Sequence, residues 1–212
     1  MTRTNPTNAA NPTNAANAAN TITRAQRATL LQQQPHVFWL TGLSGAGKST
    51  IARCCEEQLH ASGKLTFVLD GDALRSGLNS DLGFSATDRA TSVRRAAEVA
   101  RMLADAGCIV FVALISPFRA DRAQARQVIG SDAFTEVFVD IPLTIAEARD
   151  PKGLYRRARE GRLPAFTGID SPYEIPLKPD VHLLSDSMTP DDAANYLVRY
   201  LADREAIAPI LR

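Results

Sequence analysis

The sequence predicts an open α/β fold, a three-layer arrangement in which a mostly parallel five-stranded sheet carries helices on both faces. Three observations lead there. Short apolar runs alternate with helical patterns along the chain, as in successive βαβ units. Those runs are continuous rather than alternating, the pattern of strands covered on both faces. The first of them, from His36, leads straight into Gly42-Leu43-Ser44-Gly45-Ala46-Gly47-Lys48-Ser49-Thr50 with helical sequence behind it. This is the P-loop pattern in its required strand-to-helix setting, so the fold expected is that of the P-loop NTPases.

Residues 5–20 repeat Asn-Pro-Thr-Asn-Ala-Ala and then Asn-Ala-Ala, with almost nothing to bury. They set a disordered Asn/Ala/Thr-rich tail over 1–22 and leave 23–212 as a single P-loop domain, too short for a second catalytic domain. Thr23 to Gln34 is compatible with a short leader helix before Pro35. After the P-loop, Ser49 to Ala61 forms the first long helix and stops at Ser62-Gly63. Leu65 to Leu69 is a buried strand ending in Asp70-Gly71-Asp72.

Ser85-Ala86-Thr87-Asp88 has the form of a capping box and opens an amphipathic helix that runs to Gly107, with Arg89, Arg94 and Arg95 on its exposed start. Cys108 to Ile115 is an apolar strand stopped by Ser116-Pro117. Arg119 to Ile129 makes a helix, Thr135 to Ile141 a strand, and Leu143 to Arg149 and Lys152 to Glu160 helices around Pro151. Residues 161–179 hold four prolines and two glycines with no regular period; a stretch of that length is expected to work as a lid-like loop. Val181 to Leu184 is a last strand, and Thr189-Pro190 starts a closing helix to Ala206.

The P-loop brings its chemistry with it. Glycines let successive backbone N–H groups converge on phosphate oxygens at a helix N-terminus, Lys48 reaches the β- and γ-phosphates, and the Ser49 hydroxyl can bind Mg²⁺. Many such proteins hold the ion with an aspartate on a neighbouring strand, but the strongest strand here ends in serine. Asp70 and Asp72, at the carboxyl end of another strand, lie where open α/β sheets place their ligands and are the nearest acids.

Other classes lose ground on composition. A net charge of +1 with 22% charged residues gives no field for nucleic acid or a membrane surface. No apolar run is long enough to span a membrane and no secretory signal is apparent, so a cytoplasmic protein is expected. Cys54, Cys55 and Cys108 lack metal-ligand spacing and read as buried thiols; His36, His60 and His182 are scattered. A nucleotide switch would carry an Asn-Lys-x-Asp guanine-reading motif, which is missing, whereas the acidic pair and the late loop favour a small-molecule kinase.

Several motifs together resemble adenylylsulfate kinase: the P-loop, Leu69-Asp70-Gly71-Asp72, Asp81-Leu82-Gly83-Phe84, Leu114-Ile115-Ser116-Pro117, Glu147-Ala148-Arg149-Asp150-Pro151-Lys152-Gly153-Leu154-Tyr155 and Phe166-Thr167-Gly168-Ile169-Asp170. They run in the family's order from about Phe38 to Leu184. The resemblance implies an ATP- and Mg²⁺-dependent phosphotransferase acting on the 3′-hydroxyl of adenosine 5′-phosphosulfate, working as a homodimer in sulfate assimilation. It implies that Arg149 joins Gly42 to Thr50 in binding ATP. Arg75 and Arg89 would meet the phosphosulfate, Phe84 and Phe166 would sandwich its adenine, and Ser92, Ile115, Ser116, Pro117, Lys152, Thr167 and Gly168 would complete that pocket. Lys48, Asp70 and Asp72 would be catalytic, with Ser49, Asp70 and Asp72 holding the ion directly or through water.

The family carries a proposed phosphoserine at the position of Ser116; with no histidine nearby in the chain to activate it, substrate contact is the better reading here. Ser92 stands where the family usually has asparagine, and Ala73 and Ser76 where it often has Asn and His.

Overall fold

A computed structural model describes residues 22–207. The expected tail over 1–22 lies outside the described residues except for Ile22. Helix α1 (Arg24–Leu31) leads into β1 (His36–Thr41), α2 (Lys48–Ala61), β2 (Thr66–Asp70) and the short α3 (Gly71–Ser76). Then come α4 (Ala86–Asp105), β3 (Ile109–Ala113), α5 (Arg119–Ile129), a single 3₁₀ turn and β4 (Phe134–Asp140). Two short helices, α6 (Leu143–Arg149) and α7 (Leu154–Arg159), precede β5 (Val181–Leu184) and α8 (Pro190–Ile207).

All five strands are parallel, in the order β2-β3-β1-β4-β5, with registers such as Val37↔Val110 and Phe38↔Thr135. The β1 and β3 strands are buried throughout because both faces are covered, and alternate side chains serve opposite cores. Phe38, Leu40, Phe111 and Val139 pack with Ile51, Ala52 and Cys55 of α2 and Ala194 and Leu197 of α8. Val37, Trp39, Val110 and Val112 pack with Val93, Ala96 and Ala100 of α4 and Ala125 and Ile129 of α5. The β1 strand thus lies between layers, and its carboxyl end delivers the glycine loop into the crevice flanked by β3 and β4.

Two end signals act as the sequence predicts: Ser85 accepts the Asp88 N–H and caps α4, and Thr189 accepts the Asp192 N–H ahead of Pro190. Thr23 also caps α1, in a capping box with Gln26. The β2 strand departs from expectation: it lies at the edge of the sheet, with Leu65 before it and Phe67 within it exposed rather than buried. Asp70 closes β2 and caps a helix that starts at Gly71, accepting the Asp72 N–H at 2.9 Å. The β3 strand is shorter than the apolar run, and α7 starts two residues later than Lys152. Cys55 and Cys108 are buried thiols, while Cys54 is only partly so.

Gln33 is a buried residue that the sequence did not single out. Its carboxamide donates to Leu65 O (2.9 Å) and Gly107 O (2.7 Å) and accepts from Leu65 N–H (2.8 Å), tying the leader to the starts of β2 and β3.

Candidate active site

The loop between β1 and α2 is built on positive-φ glycines. A Cβ at Gly42, φ +152°, would fall far inside contact distance of Val139 O, so only glycine lets β1 leave the sheet beside β4. Gly47, φ +94°, is the N-cap of α2 with no side chain in the way, leaving the first N–H groups of the helix to face the crevice. Tyr155 of α7 donates its hydroxyl to Ser44 O at 2.9 Å and so pins the loop's tip.

Lys48 is the first residue of α2 and is buried. Its Nζ donates to Gly42 O (2.9 Å) and Leu43 O (2.7 Å). Burial, assisted by the Lys152 charge and opposed by Asp70 and Asp72, pulls its pKa down to about 7. Asp70 reaches Ser49. Burial alone would raise its pKa, but hydrogen bonds from the Ser49 hydroxyl and from the Asp72 and Ala73 N–H groups hold it below the usual carboxylate range. Asp72 projects from the first turn of α3 and forms an ion pair with Lys152, with 70% and 56% of the two side chains exposed. A pair so wet is worth under about 1 kcal/mol and opens readily.

A second group of residues gathers at the start of α4. The Arg75 guanidinium lies over the Phe84 ring at 4.2 Å, with that of Arg89 at 5.7 Å. Arg89 is no exposed charge, contrary to the sequence expectation. It is 7% exposed, its Nε donates to Phe84 O (3.0 Å), and its Nη2 donates to Ala165 O (2.6 Å). Burial lowers the pKa of both arginines, and the Arg75 charge lowers that of Arg89 further. Two half-dry like charges side by side make a place that gains from an anion.

Phe166 is likewise repositioned. The sequence places it in a polar loop with little core to join, yet it is 7% exposed, belongs to the α2–α8 core and packs edge-on against Tyr155 at 4.9 Å. The 161–179 stretch has an ordered turn. Asp170 accepts the N–H groups of Ala165 (2.7 Å) and Phe166 (2.6 Å), which keep its carboxyl below the usual range. The Gly168 N–H donates to Ser171 O at 2.8 Å.

Ser116 follows β3 in a positive-φ conformation, φ +39°, and is buried. Its Oγ accepts from Trp39 Nε1 at 3.1 Å, and its carbonyl accepts from Arg122 Nη1 at 2.7 Å. Arg122 is itself buried, paired with Glu136 at 2.7 Å and donating to Glu174 O at 2.7 Å, while Thr41 donates to Ile115 O at 2.7 Å. Trp39, Thr41, Arg122 and Tyr155 were not among the sequence candidates. Each reads from sequence as an ordinary strand or helix residue, and only the tertiary contacts reveal the support they give.

One cavity of about 890 Å³ is lined by most of the sequence candidates: Ser44, Gly45, Gly47 to Thr50, Asp70, Asp72, Arg75, Phe84, Arg89, Ser92, Ile115 to Pro117, Arg149, Lys152, Phe166 and Thr167. Gly42, Leu43, Ala46 and Gly168 are not in its wall. Gly42 abuts β4, Ala46 borders a smaller cavity of about 140 Å³ with Arg149 and Ser185, and Gly168 approaches the Leu43 side chain. Arg149 donates to Ser185 O at 2.7 Å. Among the described residues no cluster of three or more His, Cys, Asp or Glu side chains could hold a metal, so a protein-only cage is absent. The Ser49 hydroxyl hydrogen-bonded to Asp70, with Asp72 nearby in the chain, is a hard-oxygen set that suits Mg²⁺ shared with a nucleotide's phosphates.

The chain matches the family model described as adenylylsulphate kinase over residues 34–184. It is 50% identical over 184 residues to the adenylyl-sulfate kinase of Marinobacter nauticus, covering 87% of this chain and 92% of that one. It is 54% identical over 175 residues to the bifunctional enzyme CysN/CysC of Xylella fastidiosa, covering 82% of this chain but only 28% of that relative's length. Among solved structures it resembles the Mycobacterium tuberculosis APS kinase CysC in complex with AMPPNP and APS, with TM-score 0.77 and 49% identity over 80% of this chain and 98% of that one. A family model spanning most of the fold and a relative matched nearly end to end agree: this chain belongs to the adenylylsulphate kinase family.

Proposed function

We propose that this chain transfers the γ-phosphate of ATP to the 3′-hydroxyl of adenosine 5′-phosphosulfate, giving ADP and 3′-phosphoadenylyl sulfate. The observation that carries this reading is the single cavity in which a phosphate loop with Lys48 and Ser49 shares walls with an Asp70/Asp72 pair and with Arg75 and Arg89. The first group suits a triphosphate, the last an anionic acceptor, and the acids lie in the wall with both. The names of the relatives support the same substrates.

In this account the α2 N-terminus and loop N–H groups bind the ATP phosphates, and Lys48 swings from the Gly42 and Leu43 carbonyls to offset charge on the β–γ bridge. Ser49 and Asp70, with Asp72 through water, would hold Mg²⁺, which supplies charge neutralisation at the phosphates. Asp72 leaves Lys152, orients the acceptor hydroxyl and takes its proton. Arg75 and Arg89 receive the phosphosulfate, and adenine enters against Phe84 by displacing the Arg75 guanidinium from its ring. Phe166 contributes from the opposite wall through whatever ring edge Tyr155 leaves open. The 161–179 loop, anchored by Arg89 and Asp170, excludes water so that ATP is not hydrolysed in vain. Ser116, its hydroxyl engaged by Trp39, contacts substrate and carries no phosphoryl group.

A homodimer and a cytoplasmic location complete the proposal; no described helix is long and apolar enough to cross a membrane. A coupled ADP-release assay run in parallel with adenylyl sulfate, AMP, gluconate and shikimate tests the acceptor. Turnover confined to adenylyl sulfate is expected, and turnover with another acceptor but none with adenylyl sulfate would sink the assignment.

A further inference from the structure

Asn79 lies in the turn between α3 and α4 and is 1% exposed. Its backbone serves the turn, donating N–H to Leu74 O at 2.8 Å and accepting from Leu82 N–H at 3.1 Å. The carboxamide does something else. Nδ2 donates to Ser92 Oγ at 2.9 Å, while Oδ1 is shut off from solvent and has no hydrogen-bond partner. An asparagine that only filled space would be a poor choice, because an apolar side chain would leave no buried oxygen unpaired. The bond to Ser92 is therefore what the side chain contributes.

That bond has a direction. A hydroxyl offers one proton and two lone pairs. With the amide N–H on one lone pair, Ser92 Oγ faces the turn as an acceptor and its own proton is free to be donated elsewhere. Ser92 lines the cavity three residues along α4 from Arg89, on the same face of the helix, and Arg75 lines the same cavity. We propose that Asn79 is a positioning residue for the acceptor substrate: by occupying a lone pair of Ser92 Oγ it fixes that hydroxyl as a donor into the cavity, aimed at an oxygen of the anionic group that Arg75 and Arg89 receive. The inference rests on the kinase reading above and adds to it a residue that never touches the substrate. It also assigns Ser92 a defined hydrogen-bond role.

Steady-state kinetics with ATP and adenylyl sulfate on the wild type, Asn79→Leu, Asn79→Asp, Ser92→Ala and the Asn79→Leu/Ser92→Ala double variant test it. Leucine removes the donor and keeps the number and branching of the heavy atoms, with bulkier ends. Aspartate offers only acceptors, so the Ser92 proton turns back toward the turn. The expected result is a KM for adenylyl sulfate raised about tenfold in Asn79→Leu and at least as much in Asn79→Asp, with kcat and the KM for ATP held within about twofold. Asn79→Leu adds nothing further in the Ser92→Ala background.

An equal penalty in both backgrounds, or a rise in both KM values with a lowered melting temperature, means a packing role and overturns the proposal. If Asn79→Leu does not fold, the other single variants decide, since a Ser92→Ala chain with unchanged KM for adenylyl sulfate overturns it as well. A wild-type chain that does not turn over adenylyl sulfate removes the underlying reading instead, a result that is separate from any coupling between the two positions.

Discussion

Lys48 holds two backbone carbonyls while buried at the mouth of a helix, and its pKa of about 7 follows from the loss of water around its amine. A bound triphosphate would restore the ordinary value by placing negative charge against the ammonium. ATP binding is therefore expected to take up close to one proton at pH 8, where the free amine is mostly neutral, and much less at pH 6, where it is already charged. Calorimetric titration in buffers of different ionisation enthalpy measures this directly; equal uptake at both pH values would show that Lys48 is already charged without ligand. The identity of this lysine was legible in the sequence because the P-loop is a local pattern. Its protonation was not, since desolvation depends on what the fold packs around it.

At the scale of elements, the 161–179 segment shows what sequence reading can and cannot reach. Its length and its prolines raise the expectation of a functional loop, but the turn that orders it depends on one carboxylate accepting two backbone N–H groups and on Arg89 reaching across from α4. Removing the carboxylate with Asp170→Ala should free Ala165 and Phe166. The expected outcome is a KM for adenylyl sulfate raised about tenfold or more, a lowered midpoint in urea unfolding, and a KM for ATP changed far less. Kinetics and denaturation on the same preparation check it, and an effect confined to ATP would place the loop over the other nucleotide.

The β3 terminus teaches a related lesson. Its apolar run and its Ser116-Pro117 stop are visible in the sequence, whereas the Trp39, Thr41 and Arg122 contacts that fix it join positions 74 to 77 residues apart, or a helix to a strand, and leave no periodic trace. The burial of Arg89 and Phe166 is hidden for the same reason. A charged residue on a helix start and an aromatic in a polar loop look exposed until the neighbouring element is known.

For the whole molecule, the layer order and the parallel sheet were readable because continuous apolar strands and helical periods are properties of short windows. Stability against pH is a whole-fold property and makes a separate prediction. His36 opens the central strand, its Nε2 lies 2.7 Å from Thr135 Oγ1, and burial, helped by the charges of Arg204 and Arg24, pushes its pKa down to about 3. The unfolded chain takes up that proton near pH 6.5 and the folded chain does not, so folding stability falls as pH drops from about 6.5 toward 3. At pH 5 this one ring should cost on the order of 2 kcal/mol relative to pH 7, and His36→Gln should show a shallower acid loss in urea unfolding; an unchanged slope would remove His36 as the cause. Lys48 acts with the same sign at higher pH, since its folded value is also depressed, and ligand-free stability should rise from about pH 7 toward 10.5.

The proposed roles of Lys48, Asp72, Arg75 and Arg89 meet in one chemical event, the movement of the ATP γ-phosphate to a 3′-hydroxyl. The most direct measurement is the fate of γ-labelled ATP incubated with the chain and either adenylyl sulfate or its 3′-deoxy analogue, with the products resolved by mass. The predicted result is label in 3′-phosphoadenylyl sulfate with the natural acceptor and none in the analogue. Label appearing only as inorganic phosphate, or on the 3′-deoxy analogue, would contradict it.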